Sequence, residues 1–262
     1  MRRLEPLKKA IADLVDELDG VIALRNTSGF VAPYLFREKE ELDELAVSPK
    51  FPIPATLRLI QTAHPEAKLG IVCRGCEERG LIEMAKRNQV NLDNVTVIGL
   101  ACTAEEAEEC RCAKPYPSLL VDTHIGERTE PVVNELVEEL RQKDVAERLE
   151  FWRDQFDKCI KCYACRNACP QCFCPECTLE EEIWVEMGRV PPPFASFHLI
   201  RAMHTAGKCV GCCECELSCP AHIPLTTLYA LIREEVREMF GYEPGGDLKA
   251  QPPLVLPMEV ES

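Results

Sequence analysis

The sequence predicts an α/β domain over residues 1–150, a smaller cysteine-rich α+β module over residues 151–240 and an extended tail over residues 241–262. Two features predict this division. Before residue 150, apolar strand-like runs alternate with segments of helical periodicity, which is typical of α/β proteins. After residue 150 the composition changes, because twelve of the 17 cysteines lie there and aliphatic residues become sparse. A chain of 262 residues has room for one or two such domains.

The first region contains a strand, a helix and a second strand in succession, at residues 68–73, 80–89 and 94–102. Two strands joined by a helix in this way form a βαβ unit, so we expect them to be parallel. The other predicted elements are, in order, a helix at 4–19, an apolar run at 21–24, a helix at 38–46, a loop with three prolines at 48–54, a helix at 55–64 and a long charged helix at 130–150.

The second region alternates cysteine-rich loops with helices. Three consecutive prolines at 191–193 form a rigid spacer, and the segment SFHLIRAMHTAG predicts a helix that leads into a cysteine loop. A further helix is predicted over residues 222–240. The tail from residue 241 is rich in proline and glycine, so we expect it to be extended.

Charge and hydropathy argue against several classes of protein. The net charge of −14 argues against nucleic-acid binding, which requires basic surface. No stretch approaches the roughly 18 apolar residues of a membrane span. Acidic residues interrupt the N-terminal segment, which therefore predicts an amphipathic helix and not a signal peptide. We expect a cytoplasmic chain without membrane insertion, in which dense cysteine indicates metal binding more than disulfides.

Two cysteine motifs of identical C-x2-C-x2-C-x3-C-P spacing dominate the second region. The first motif consists of Cys159, Cys162, Cys165 and Cys169 before Pro170, and the second of Cys209, Cys212, Cys215 and Cys219 before Pro220. This spacing is the bacterial ferredoxin pattern, in which three thiolates of one motif hold a 4Fe–4S cluster together with the fourth cysteine of the other.

The crossed pattern predicts two 4Fe–4S clusters in a ferredoxin-like module. Two-residue gaps let the chain wrap one face of a cubane, and the proline ends the turn without leaving an unsatisfied donor. Zinc ribbons are the alternative, but they use C-x2-C pairs instead of triplets. The predicted ligands are Cys159, Cys162, Cys165 and Cys219 for cluster one, and Cys209, Cys212, Cys215 and Cys169 for cluster two.

Four further cysteines of this region fall outside the two motifs. Cys213 follows Cys212 directly, at a position where such loops often carry glycine, and we interpret it as a packing residue. Cys172, Cys174 and Cys177 form a C-x-C-x2-C group. They are candidates for a further metal with a fourth ligand from elsewhere, or inert thiols beside a cluster.

Five cysteines in the first region are expected to converge. Cys73 and Cys76 follow the first strand of the βαβ unit, Cys102 ends the second, and Cys110 and Cys112 come shortly after it. Ligands of parallel sheets gather at the carboxyl ends of the strands. The sequence therefore predicts a third cluster there, with buried packing cysteines as the alternative.

The run from Cys73 through IGLAC to ECRCAKPYPSLLVDTHIGE resembles the beta-subunit family of deazaflavin-reducing hydrogenases and formate dehydrogenases. The segment FHLIRAMHTAGKCVGCCECELSCPAHIPL resembles iron–sulfur subunits of heterodisulfide-reductase-like and formate dehydrogenase systems. The first resemblance implies that an iron–sulfur cluster is held by four cysteines, with Cys73 as a substitute for one of them. These four are Cys76, Cys102, Cys110 and Cys112.

The resemblance also implies FAD, which catalytic members of the family bind through a glycine-rich segment near the N-terminus. The corresponding segment here, NTSGFVAPYLF, has one glycine, and no G-x-G-x-x-G occurs in the chain. A Rossmann dinucleotide site therefore has no support in the sequence, and FAD belongs to an alternative interpretation. Arg74 and Arg79, beside the first cysteine pair, are candidates for hydrogen bonds that tune a cluster potential, or for surface ion pairs with neighbouring glutamates.

The sequence favours an electron-transfer subunit that relays single electrons between a catalytic partner subunit of an oxidoreductase complex and an acceptor. One alternative is an FAD-containing beta subunit that itself oxidises or reduces a deazaflavin or nicotinamide. An alternative of another class is an iron–sulfur redox sensor.

Overall fold

The computed structural model describes residues 3–253, so part of the predicted tail lies outside the described residues. The chain consists of two compact units, and the division falls between Val133 and Asn134, earlier than the expected boundary at residue 150. Among residues 3–253, no helix has the length and apolar character needed to cross a membrane.

The first unit is built on a six-stranded mixed sheet. Its strands are β1 Gly20–Thr27, β2 Phe30–Phe36, β3 Leu45–Ala46, β4 Leu69–Cys73, β5 Val95–Leu100 and β6 Thr123–Ile125. Its helices are α1 Leu4–Leu14, α2 Ile53–Ala63, α3 Gly75–Ala85 and α4 Ala104–Glu109, with a 3-10 helix at Lys39–Glu44. The α/β class predicted for this region is confirmed.

The order of the sheet is β2-β1-β4-β5-β6, with β3 also paired to β1. Strands β1, β4, β5 and β6 are parallel neighbours, and β2 and β3 run antiparallel to β1. The predicted βαβ unit is confirmed as β4-α3-β5. The predicted helix at 38–46 is wrong in part, because residues 39–44 form a 3-10 helix and Leu45 and Ala46 join the sheet.

The sheet buries apolar side chains on both faces. Alternation along β1 places Val21 and Ala23 in one core and Ile22 and Leu24 in the other, as the two-residue period of a strand requires. Helix α1 covers the first face, and helices α2 and α3 cover the second. The sheet edge at which the parallel strands end therefore lies between two packed layers, and the first-region cysteines follow that edge.

The second unit contains helices and, within its described residues, no strand. The α+β character predicted for the ferredoxin-like module is therefore not what the structure shows. Its helices are α5 Glu135–Gln142, α6 Val145–Phe156, α7 Ala164–Asn167, α8 Ser196–Thr205, α9 Glu214–Leu217 and α10 Leu225–Phe240, with a 3-10 turn at Thr178–Glu180.

The long helix predicted at 130–150 is wrong, because the chain forms two helices there. Helix α5 ends at Gln142, and Asp144 starts α6 by accepting a hydrogen bond from the backbone N–H of Glu147 at 2.9 Å. The Glu147 carboxylate accepts a bond from the Asp144 N–H in return, also at 2.9 Å. This reciprocal capping box gives the second helix its own start, a signal that D-x-x-E in the sequence carries.

Candidate cluster sites

The two ferredoxin-type motifs have the same local backbone. In each, a one-turn helix carries the third cysteine and ends two residues before the fourth, α7 in the first motif and α9 in the second. The residue after the second cysteine is left-handed in both, with φ of 61° at Tyr163 and 65° at Cys213. Lys161 and Gly211, which directly precede the second cysteine of their motifs, also have a left-handed backbone. The identical spacing thus produces two copies of one loop.

The left-handed positions turn backbone N–H groups inward. The N–H of Lys161 lies 3.4 Å from the sulfur of Cys159 and donates to it. Cys213 is buried in the left-handed region, and the Thr226 hydroxyl donates to its sulfur at 3.2 Å. The position of Cys213 agrees with its interpretation as a packing residue in place of a glycine.

Two cavities lie inside these loops, each lined by four motif cysteines. The first cavity, of about 340 Å³, is lined by Cys159, Cys162, Cys165 and Cys219. The second cavity, of about 410 Å³, is lined by Cys169, Cys209, Cys212 and Cys215. These are the two sets that the crossed pattern predicts. The structure therefore brings the predicted thiols together, while ligation by them stays a prediction.

Burial keeps several of these thiols neutral when nothing is bound. It raises the pKa of Cys159 and of Cys165 above the usual value, and that of Cys215 well above it. A buried thiolate is unfavourable without a compensating cation. Iron binding would displace these protons, because the ligand of a metal is the thiolate.

Arg201 on α8 lies between the two cavities and is only 3% exposed. Its Nη2 donates to the carbonyl oxygen of Cys165 at 2.7 Å, its Nη1 donates to the Tyr229 hydroxyl, and its buried Nε has no hydrogen-bond partner. Its side chain also lines the second cavity beside Cys169. A buried guanidinium facing thiol groups fits an anionic thiolate-ligated cluster, whose charge would compensate it.

His198 precedes Arg201 by one helical turn and lines the first cavity. Its ring stacks on Phe156 with centroids 4.0 Å apart and an angle of 8°. Burial, and then the Arg201 cation, lowers the pKa of His198 to about 4. The imidazole is therefore neutral at physiological pH and serves as a packing group.

A third cavity, of about 810 Å³, is lined by the C-x-C-x2-C cysteines Cys172, Cys174 and Cys177. Within the described residues, no three His, Cys, Asp or Glu side chains are placed to hold a single metal ion. A cubane presents its ligands at four separated corners, so this finding bears on single ions and not on clusters. A preformed single-ion site for these three cysteines is not present.

The first-region cysteines are placed around the end of β5 and the start of α3. Cys76 lies in the first turn of α3 and Cys102 follows β5, and both are buried. Burial, then the nearby Cys76, raises the pKa of Cys102, and Cys112 adds to this shift. Burial raises the pKa of Cys76 to about 11. Cys76, Cys102 and Cys112 are therefore close enough to interact electrostatically.

Cys110 and Cys73 differ from these three. Cys110 ends α4 and is partly exposed, with the Lys50 Nζ 3.9 Å from its sulfur. Cys73 is fully buried in the apolar core with residues such as Leu81 and Ile71. The structure thus places Cys73 as a core side chain, and its role as a substitute ligand stays an untested prediction.

The two candidate tuning arginines are engaged with oxygen acceptors. Arg74 is buried, and its guanidinium contacts the Val47 carbonyl oxygen and the carboxylates of Glu77 and Glu106. Arg79 donates from Nη1 to the Lys114 carbonyl oxygen at 3.0 Å. Both tie α3 to neighbouring segments, and any effect on a cluster potential stays a prediction.

Sequence reasoning missed Glu78 and Arg201 as organising residues. The buried Glu78 carboxylate accepts backbone N–H bonds from three successive residues at 2.6–2.8 Å. These residues are Ser118, Leu119 and Leu120. The signal for Arg201 is visible in the sequence, since a single arginine stands among apolar residues in FHLIRAM. Glu78 has no such signal, because its partners are 40 to 42 residues away.

An α/β unit followed by a helical unit with two four-thiol cavities defines a two-unit, cysteine-rich chain. No family model matches the chain. It is similar to the F420-dependent formate dehydrogenase subunit beta of Methanocaldococcus jannaschii, with 26% identity over 90% of this chain and 89% of the relative. It is equally similar, at 26% identity and the same coverage, to the F420-dependent formate dehydrogenase 1 subunit beta of Methanococcus maripaludis. The resemblance to the beta-subunit family of deazaflavin-linked enzymes is thereby confirmed.

Proposed function

We propose that this chain is an iron–sulfur electron-transfer subunit of an oxidoreductase complex. The observation that carries the proposal is the pair of four-thiol cavities, each formed by three cysteines of one motif and the last cysteine of the other. This crossed arrangement is typical of two-cluster ferredoxins. The clusters would supply one-electron chemistry, and the chain would hold them close together and set their potentials.

The chain's own residues have distinct tasks in this proposal. The motif cysteines hold the clusters, and inward N–H groups such as that of Lys161 donate to ligand sulfurs. Hydrogen bonds to sulfur and nearby positive charge both favour the reduced, more negative cluster. Arg201 provides such a charge to both cavities at once. Its bond to the Cys165 carbonyl also fixes the loop of cluster one.

We extend the proposal to a third cluster in the first unit, held by Cys76, Cys102, Cys110 and Cys112. Support comes from the burial of three of these thiols and from their electrostatic proximity. Each of the three clusters would carry one electron at a time. Cys110, partly exposed beside Lys50, would be the ligand nearest to solvent.

The partners follow from the relatives, which are named as subunits of formate dehydrogenases. We propose that this chain passes electrons to or from a catalytic subunit of the formate dehydrogenase kind. The bond-making chemistry on the substrate would take place in that partner, and this chain would carry the electrons.

The relatives' names favour a second candidate, a subunit that itself exchanges electrons with F420 through FAD. The segment NTSGFVAPYLF, residues 26–36, forms the end of β1, the turn and β2 of a hairpin. The Asn26 side-chain oxygen accepts from the Gly29 N–H at 2.9 Å and closes its turn. The left-handed Ser28 and Gly29 occupy that turn. Gly29, the one glycine of this segment, therefore belongs to the hairpin turn. For this reason we rank the FAD-containing subunit as the second candidate.

Iron, acid-labile sulfide and flavin content of anaerobically purified protein tests the proposal. We expect about 12 irons per chain and no flavin, because each 4Fe–4S cluster holds four irons. About eight irons would retain the two ferredoxin-type clusters and overturn the third. Stoichiometric FAD would favour the second candidate. Protein without iron would overturn the proposal altogether.

The crossed assignment has its own test. Cys219→Ser should weaken cluster one and Cys169→Ser cluster two, as seen in separate EPR signals. Cys213→Ser is the matched control, because Cys213 lies in the same loop but packs against Thr226. If Cys219→Ser instead abolished the EPR signal of cluster two, and Cys169→Ser that of cluster one, the crossed assignment would be contradicted.

A further inference from the structure

The third cavity remains unused by the proposed clusters. Its volume of about 810 Å³ exceeds that of the first and second cavities. Three thiols face it, together with basic side chains from two helices and the loop before the second motif. Its lining includes Cys172, Cys174, Cys177, Arg166, His204 and Lys208.

The surroundings of these thiols are electropositive and open to solvent. Arg166 lies within hydrogen-bond reach of the Cys177 sulfur. The Lys208 ammonium lies 4.7 Å from the centre of the Phe173 ring, within the same loop. One carboxylate, Glu180, pairs with Arg166 at 2.7 Å, which leaves Lys208 and the neighbouring Arg201 as further positive charges. Reactive cysteines occupy partly exposed, electropositive sites of this kind.

The thiols of the third cavity are more exposed to solvent than the packing cysteines of the chain. Cys174 is exposed and Cys177 is half-buried, whereas Cys73 is enclosed by apolar side chains. The chain bends at Pro175 and Glu176, between the two cavity cysteines. The C-x2-C spacing of Cys174 and Cys177 is the spacing found in disulfide oxidoreductases, in which two thiols open and close as a disulfide.

The third cavity also adjoins the second. The sulfur of Cys172 lies within hydrogen-bond reach of the sulfur of Cys169, a predicted ligand of cluster two. Arg201 and Thr205 line both cavities. A short through-contact path therefore leads from cluster two to the thiols of the third cavity.

We propose that Cys174 and Cys177 form a redox-active dithiol that exchanges electrons with cluster two and with a small disulfide carrying anionic groups. The third cavity has more room than the first and second cavities and is open to solvent, so a small ligand can reach its thiols. Its excess of basic side chains favours anionic ligands. The electron source in this inference rests on the proposed function.

The Cys174–Cys177 disulfide accepts two electrons and two protons, its sulfur–sulfur bond breaks, and two thiols form. The electrons come one at a time from two reduced 4Fe–4S clusters, each of which is oxidised by one electron, and the protons come from solvent. The dithiol then reduces an external disulfide by exchange, which restores the Cys174–Cys177 bond and releases two external thiols.

The first experiment equilibrates anaerobic holoprotein in buffers of reduced and oxidised glutathione, followed by differential alkylation and mass spectrometry. We expect a reversible Cys174–Cys177 disulfide with unchanged iron content. Reductive titration should show two more electrons per chain in wild type than in Cys174→Ser or Cys177→Ser. Cys73→Ala, which removes a core thiol of the first unit, should keep both extra electrons.

The outcomes separate this inference from the proposed function. Full iron content with Cys174 and Cys177 always open to alkylation would overturn the dithiol and leave the proposed function intact. Iron or zinc lost from both serine variants would overturn it in favour of metal ligation. Iron-free wild type that still forms the disulfide would overturn the cluster-fed step together with the proposed function.

The second experiment tests the charge selectivity of the third cavity. Lys208→Gln should slow oxidation of the dithiol by glutathione disulfide, which is anionic, several-fold. It should leave oxidation by the neutral 2-hydroxyethyl disulfide unchanged. Equal slowing with both probes would overturn the anion preference, because it would indicate a general disturbance of the loop.

Discussion

Arg201 is the residue on which the second unit's electrostatics depend. It is buried, it contacts Cys165 and Tyr229, and its Nε has no partner. An unpaired buried charge costs several kcal/mol, so the folded chain requires a compensating negative charge near it. Two thiolate-ligated clusters would provide that charge, and the arginine would in turn make both clusters easier to reduce.

Arg201→Met should therefore lower the midpoint potentials of both clusters, because it removes a buried positive charge from between them. EPR-monitored redox titration of anaerobic protein measures both potentials. Arg201→Lys is the matched control, since it keeps the charge and loses the guanidinium geometry, and we expect a smaller shift. Unchanged potentials in the methionine variant, with full iron content, would contradict this role.

We expect His198 to make the free energy of unfolding of the second unit depend on pH. The folded chain holds it neutral with a pKa lowered to about 4 by burial and by Arg201, while an unfolded histidine binds a proton at about pH 6.5. Between these values the unfolded state binds more protons, so the free energy of unfolding falls as the pH falls. The slope is at most ~1.4 kcal/mol per pH unit.

Urea unfolding at pH 7 and pH 5 measures this slope. His198→Phe keeps a ring against Phe156 and should remove this part of the pH dependence. His204→Asn, at an exposed position of the same helix, should leave it unchanged. Identical slopes in wild type and His198→Phe would show that other groups govern stability in this range.

Helix α3 is the element that organises the first unit's site. It carries Cys76 in its first turn and presents Glu78 to the loop at 118–120. Gly75, at its first residue, lies where an added Cβ would stand 2.7 Å from the Lys114 carbonyl oxygen. The helix start and the segment after Cys112 are therefore in direct contact, which places the thiols of both segments near each other.

Glu78→Gln should reduce the free energy of unfolding by about 1–3 kcal/mol, the usual range for losing charged hydrogen-bond partners in a buried site. The amide keeps one acceptor oxygen but brings an NH₂ group towards three backbone donors. Thermal or urea unfolding followed by circular dichroism measures the change. Glu109→Gln, on the exposed side of α4, is the matched control and should have almost no effect. A similar effect of both substitutions would contradict the structural role of Glu78.

The two units differ in what builds their cores. The first has apolar side chains packed on both faces of a sheet. In the second, four predicted ligand cysteines pack around a small cluster of residues such as Phe156 and Leu228. These packed cysteines are Cys159, Cys165, Cys209 and Cys219. Removing the clusters would leave two cavities within that core.

Removal of iron by chelation or oxidation should therefore loosen the second unit before the first, because metal binding contributes directly to the folding of such units. Limited proteolysis followed by mass spectrometry locates the cuts, which we expect after residue 133 first. Holoprotein treated in parallel is the control. Equal resistance of the two units in iron-free protein would contradict the prediction.

Features that depend on local spacing and periodicity could be predicted from the sequence. The βαβ unit follows from apolar periodicity over residues 68–102, and the two equivalent cysteine loops follow from identical spacing. The sets of cysteines around each cavity also follow from the sequence, because the crossed pattern is a property of repeated motifs. Helix boundaries were predicted less well. The capping box at Asp144 starts a new helix within a stretch of continuous helical periodicity.

Contacts between distant groups could be read only from the folded chain. The antiparallel pairing of β2 and β3 with β1 is one example, because the partners of a strand depend on the whole sheet. The same holds for Arg201, whose position between two cavities depends on how α8 packs against both loops. The helical second unit and the shared cavity of Cys172, Cys174 and Cys177 have the same origin. Contacts across long sequence separations depend on packing, which local sequence patterns do not record.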